Sequence, residues 1–148
     1  MLENLLGRGL QQEDSDPEEI RRLRRKIDTK LADAANSLIS LDSRFDLAYE
    51  ALLQIGLTAL RANGLRPDSR GGHHVMALQT LDTTIGYPRE KLRLLDHFRR
   101  MRSAGLYDGS FEPSAAEVQA LLDAVAELKA HLDEWLANNY PELSEKPT

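Results

Sequence analysis

The chain of 148 residues contains no cysteine, which excludes a disulfide framework and any thiolate-held metal and fits a reducing compartment. No stretch approaches the roughly 20 apolar residues that a membrane span requires. The opening MLENLLGRGL has no basic n-region, and Glu3, Asn4, Gly7 and Arg8 interrupt its apolar residues, so it does not resemble a secretion signal. A cytoplasmic location follows as the expectation. A phosphate-cradling glycine loop, a nucleophile elbow and a HExxH pair are all missing. The four histidines are His73, His74, His97 and His131. His73 and His74 are adjacent, so on a helix they diverge by about 100° and do not readily share a metal ion. No spacing of acids selects a metal site either, and no cofactor is expected.

What is present reads as helix. Hydrophobic residues make up 41% of the chain, enough for one globular domain of this length. Asp16 as N-cap, Pro17 in the first turn, then Glu18 and Glu19, start a helix read over residues 17–40. Its stripe is Ile20, Leu23, Ile27, Leu31, Ala34 and Leu38, with Arg21, Arg22, Arg24, Arg25 and Lys26 off the stripe and assigned to solvent. A second helix, about 42–63 with Asp42 as cap, carries Phe45, Ala48, Tyr49, Leu52, Ile55, Ala59 and Leu60. Leu53, Gly56 and Leu57 widen this stripe beyond one face, which predicts a central position. A polar loop at 65–72 precedes a helix from His73 to Ile85, and Gly86-Tyr87-Pro88 breaks it. A fourth helix, about 89–104, turns Leu92, Leu95, Phe98 and Met101 inward. Glu112-Pro113-Ser114 announces the last, whose stripe runs from Val118 to Leu136 before Asn138, Asn139 and Pro141.

No segment shows strand alternation, and no internal repeat is visible. The expectation is therefore an all-α, antiparallel up-and-down bundle of about five helices in a single domain over 17–140. It is flanked by an acidic segment, 1–16, and a loose tail, 141–148. Segment 1–16 is either unstructured or folded over the basic first helix.

Charge is unevenly spread. Residues 1–19 hold one base and six acids, residues 20–106 sixteen bases and nine acids, and residues 107–148 two bases and nine acids. A basic middle between acidic ends attracts phosphates locally or neutralises its own ends on folding. The densest basic run is His97-Phe98-Arg99-Arg100-Met101-Arg102. Arg99 and Arg102 lie three apart and share a helix face, and guanidinium forks suit phosphate oxygens. The same cations near a helix C-terminus also compensate the macrodipole.

Two passages carry a family resemblance: Tyr49-Glu50-Ala51-Leu52-Leu53 through Leu60, a loop and Gly72-His73-His74; and Arg102-Ser103-Ala104-Gly105-Leu106-Tyr107. Together they resemble the HEPN superfamily, small helical proteins of prokaryotic toxin–antitoxin and defence systems, over roughly residues 40–136. The resemblance implies a four-helix core, a homodimer, and a metal-independent ribonuclease site shared across the dimer interface. In that scheme an Arg stabilises phosphorane charge and a His handles the ribose hydroxyl or the leaving oxygen. By position Arg102 is the phosphate-binding arginine, with Arg99 beside it and Ser103 in the polar slot. Tyr107 stands where the family has its His, and a phenol is a poor general base at neutral pH. Arg102 and Tyr107 converge only if the helix ends near Gly105. His73, His74 or, less favourably, His97 would have to supply the imidazole. Three readings follow: a protein binding RNA or nucleotide phosphates, with weak cleavage through Arg102, Tyr107, His73 and His74; a non-catalytic dimeric module engaging an antitoxin-type protein; or an unrelated helical scaffold.

Overall fold

The computed structural model describes residues 2–68, 73–105 and 109–144, and the side chains of all of these except 73, 74 and 144. It has the expected all-α architecture. In chain order the helices are α1 (Pro17–Ala34), α2 (Leu41–Ala62), α3 (His73–Gln79), α4 (Leu81–Thr84), α5 (Arg89–Ala104), α6 (Ala115–Asn139) and α7 (Pro141–Ser144). The five longest occupy the five segments expected to be helical.

Local chemistry sets the boundaries. Asp16 Oδ1 accepts a hydrogen bond from Glu19 N at 2.8 Å, which starts α1. The helix stops at Ala34 and not at residue 40, because Asn36 and Ser40 divert the backbone. Asn36 Oδ1 takes the Leu38 N–H at 3.0 Å, and Ser40 Oγ caps α2 by accepting from Ser43 N at 3.3 Å. Ser40, and not Asp42, is therefore the cap, and Leu38, assigned to the buried stripe, is 93% exposed. The segment read as one helix from His73 to Ile85 is two, since Thr80 adopts φ −93°, ψ 1° and turns its hydroxyl back to Met76 O at 2.7 Å. At α6 the expected start is a full capping box, with Ser114 and Glu117 each bonding the other's backbone N–H.

α2 lies at the centre, packed most extensively against α1 and α6 and touching α3, α4 and α5 as well. Phe45, Leu52 and Ile55 are wholly buried, and they join Ile20, Ile27, Leu95, Phe98, Leu121, Leu128 and Leu132 in one core. Gly56 has a packing role: a Cβ there would sit 2.9 Å from the Ala77 carbonyl oxygen, so its absence lets α3 seat directly on α2.

Two buried arginines join elements that hydrophobic contact alone would leave adjustable. Arg24, placed on the solvated face of α1 by the sequence pattern, is instead buried. It donates to Asp133 Oδ1 of α6 at 3.0 Å and to the Leu143 carbonyl of α7 at 3.4 Å. Lys129 and Asp28 continue the antiparallel α1–α6 seam at 3.4 Å. Arg61, near the end of α2, is 5% exposed. It reaches Glu19 through Nε (2.6 Å) and Nη2 (3.0 Å), and the carbonyls of Glu13, Asp14 and Leu65 at 2.7, 3.1 and 3.1 Å.

That arginine fixes the entry to α1, and the residues before it form a small annex. A 3-10 turn, Leu2–Leu5, leads to β1 (Leu10–Gln12), which pairs antiparallel with β2 (Leu65–Pro67) in the register Leu10 to Pro67. Leu10, Leu60, Leu65 and Ala77 form a second apolar cluster, with Leu2, Leu5 and Met76 against it. The sequence showed no strand because three residues are too short to display an alternation. No helix among the described residues is long and apolar enough to cross a membrane.

Hydrogen bonds from Arg61 hold the Glu19 carboxyl below its ordinary range. A depressed carboxyl stabilises the fold above its unfolded titration point and loses that contribution as pH falls through the native one. Arg61→Ala is expected to cost about 3 kcal/mol in urea unfolding at neutral pH, because it strands Glu19 and three carbonyls. Glu19→Gln should flatten the stability–pH curve on the acid side of the carboxylate range while leaving its neutral-to-alkaline shape unchanged.

Candidate functional site

α5 presents three arginines near its C-terminal end, and α2 and α5 run antiparallel, so that end of α5 meets the start of α2. Arg102 Nε lies 2.6 Å from Asp46 Oδ1 of α2. Its guanidinium carbon stands 5.4 Å from the centre of the Phe111 ring, within cation–π range. Phe111 in turn packs edge-on against Phe45, with centroids 4.9 Å apart. The close approach of Phe111 to the end of α5 depends on Gly105: a Cβ at that position would meet Phe111 N at 2.6 Å. The helix ends at Ala104 with Gly105 as its C-cap, as convergence of Arg102 and Tyr107 would demand, but Tyr107 itself lies outside the described residues.

Arg99 and Arg100 share one carboxylate. Asp96 Oδ1 accepts from Arg99 Nε at 2.9 Å, and Asp96 Oδ2 lies 2.8 Å from Arg100 Nε. In all three arginines the carboxylate engages Nε. No hydrogen bond from their terminal Nη groups reaches a described residue. A hydrogen bond thus holds the Arg99 guanidinium, the other two lie within ion-pair distance of their acids, and the outer forks remain available to a phosphate.

Beside Arg99 opens a cleft of about 460 Å³ between α3 and α5. Val75, Leu78 and Leu92 form its apolar wall, and Arg93, His97, Arg99 and Arg100 bring positive or ionisable groups to it against the one carboxylate of Asp96. This volume falls in the range of small-ligand sites. Arg93, His97 and Arg100 are exposed. Tyr49 of α2, within the electrostatic reach of Arg99, is half-buried, and burial pushes its phenol above the usual value. The charges of Arg99 and Arg102 act against that shift, and Asp96 reinforces it.

The structure thus places the sequence-derived residues unevenly. Arg99 joins the cleft, while Arg102 faces Asp46 and Phe111 on the α2 side. Ser103 is exposed. The side chains of His73 and His74 are outside the described residues, although α3 begins at His73. The imidazole that does line the cleft belongs to His97. His131 is committed elsewhere: its Nε2 lies 2.7 Å from the Ile85 carbonyl, and its ring packs edge-on against Tyr87.

Sequence reasoning missed Asp96, Asp46, Phe111 and Arg93. The Asp96 pairing was legible, since it precedes Arg99 and Arg100 by one helical turn. Asp46 and Phe111 reach Arg102 only through tertiary packing. Among the described residues no group of three or more His, Asp or Glu side chains is placed to hold a metal ion. No family model, curated protein or solved structure matches the chain.

The arrangement around Tyr49 gives a signed expectation. In ultraviolet difference titrations, with Tyr49→Phe used to isolate this phenol, Arg102→Ala should raise its titration point further and Asp96→Asn should lower it.

Proposed function

We propose that this protein binds RNA or nucleotide phosphates through the arginine cluster of α5, with the α3–α5 cleft as the seat. The observation that supports this reading most is the convergence of Arg93, Arg99 and Arg100 on one cleft with a single opposing carboxylate. Asp96 pairs with the Nε edges of Arg99 and Arg100 and leaves their outer forks open, an arrangement that orients donors for a phosphate instead of consuming them. The resemblance to HEPN proteins of toxin–antitoxin and defence systems agrees with this ligand class and with work in the cytosol.

Cleavage is the weaker part of the same reading. The ionic partner of Arg102 is Asp46, which a phosphorane would have to displace, and Tyr107 replaces the family's imidazole. Binding is accordingly the primary activity, and any metal-independent hydrolysis is slow. His97, in the cleft with the arginines, is a nearer source of an imidazole than sequence spacing suggested.

Fluorescence anisotropy of labelled single-stranded RNA, titrated with protein over a range of salt, tests the proposal. Wild-type binding should weaken as salt rises. Arg93→Ala and Arg100→Ala should weaken it on all sequences alike and reduce the slope of log K against log salt by about one each. Folded protein that fails to bind any RNA or nucleotide at low salt would remove this reading. Incubation with RNA in chelator, alongside Arg102→Ala and His97→Ala, separates cleavage from binding.

A further inference from the structure

We propose that an apolar groove between α1 and α2 receives an acidic amphipathic helix from a partner protein. The sequence gives α2 an apolar stripe wider than one face. Two parts of that stripe are covered by α1 and α6, but Leu53 and Leu57 are only half-buried. With Leu23 of α1 they line a groove of about 690 Å³, whose lining also includes Pro67 and Ala77.

The groove has the dimensions of a helix seat. Leu23, Lys26 and Lys30 recur on α1 at spacings of three and four, and Glu50, Leu53 and Leu57 do so on α2, so each helix supplies one straight bank. From residue 23 to residue 30 is about 10 Å of helix axis, or two turns. That matches the i, i+3/i+4, i+7 anchors of a helix lying in a groove.

Charge identifies the occupant. Lys26 lines the groove and is exposed, and Arg22 lies one turn before it, also exposed. Neither forms an ion pair with a described residue, whereas Arg21 and Arg25 are both taken by Glu18, at 3.1 and 3.5 Å. Lys30 meets Glu50 across the groove at 2.8 Å, the groove's one internal pair. The α1 bank is thus positive and its floor aliphatic. A second copy of this chain docking by the same face would bring either the two Lys26 banks together, which like charges oppose, or each Lys26 bank onto an α2 bank whose one carboxylate, Glu50, already meets Lys30. A nucleic acid would find cations but no aromatic ring on which to stack a base. A helix with Leu-type anchors below and Glu or Asp along the flank facing α1 satisfies both banks.

The test uses full-length protein and fluorescent synthetic peptides of about four turns (roughly 15 residues). One peptide has Leu at i, i+3, i+4 and i+7 with Glu between; a second is its scrambled isomer; a third replaces Glu by Lys. Anisotropy should show the in-register acidic peptide binding at least about tenfold tighter than either control, with Lys26→Glu reducing its affinity about fivefold and Leu57→Asp abolishing it. Circular dichroism checks that each variant is folded, and Lys26→Glu, at an exposed position, decides the matter if Leu57→Asp does not fold. Equal binding of the scrambled or Lys peptide overturns the proposal. So does acidic-peptide binding indifferent to Lys26→Glu. Sedimentation showing a dimer that Leu57→Asp disperses would assign the groove to a second copy and overturn it too. RNA that competes with the peptide and loses affinity in Lys26→Glu would assign the groove to nucleic acid and likewise overturn the proposal.

Discussion

Burial of α2 on several faces at once is the constraint from which the rest of the architecture follows. Phe45, Ala48, Leu52, Ile55 and Ala59 have no exposure at all, and a single helix can hide so broad a surface only when neighbours surround it. α1 and α6 take the larger share, and α3 covers a further face by seating on Gly56. Each surrounding helix then needs only a narrow stripe of its own. This is why α5 can spend its outer face on charge, with mainly Leu95 and Phe98 held in the core.

Arginine serves two separate purposes in this bundle, and burial distinguishes them. Arg24 and Arg61 are enclosed, and their donors are taken by carboxylates and carbonyls from distant segments. A guanidinium removed from water must be paired in this way, and the pairing makes them register pins for α1, α6 and the N-terminal annex. Arg93, Arg99, Arg100 and Arg102 sit at partial or full exposure, where the pairing of the last three to Asp96 or Asp46 is weak by itself. There the carboxylates restrict rotamers and leave donor edges outward. The same residue type is thus a structural staple at one depth and, in the function proposed above, a ligand contact at another.

The two candidate surfaces stand back to back across α3. Its Val75 and Leu78 face the basic cleft, while Ala77 lines the apolar groove and belongs to the cluster around Leu10. A short helix resting on a glycine and on a two-stranded ribbon has few interactions of its own to fix its position. Its placement, and with it the shape of both surfaces, is supplied by α2 and the N-terminal segment.

Much of this was legible from residues alone. Helix positions, the central role of α2, the capping by Asp16 and Ser114 and the arginine run of α5 all arise from neighbours within one turn, and a linear sequence displays such relations directly. The extent of α1 was misjudged because the apolar period continues to Leu38, whereas Asn36 and Ser40 compete for the backbone hydrogen bonds. Arg24 looked like one more solvated cation, since nothing near it in sequence announces Asp133 or the Leu143 carbonyl more than a hundred residues away. The paired strands were invisible because each is three residues long and gains its order only from its partner. Chain periodicity determined which residues form helices and which faces they bury. Only tertiary structure decided which arginines are enclosed, which meet a carboxylate of another helix and which line a cleft, because those outcomes depend on distances between segments that the sequence does not order.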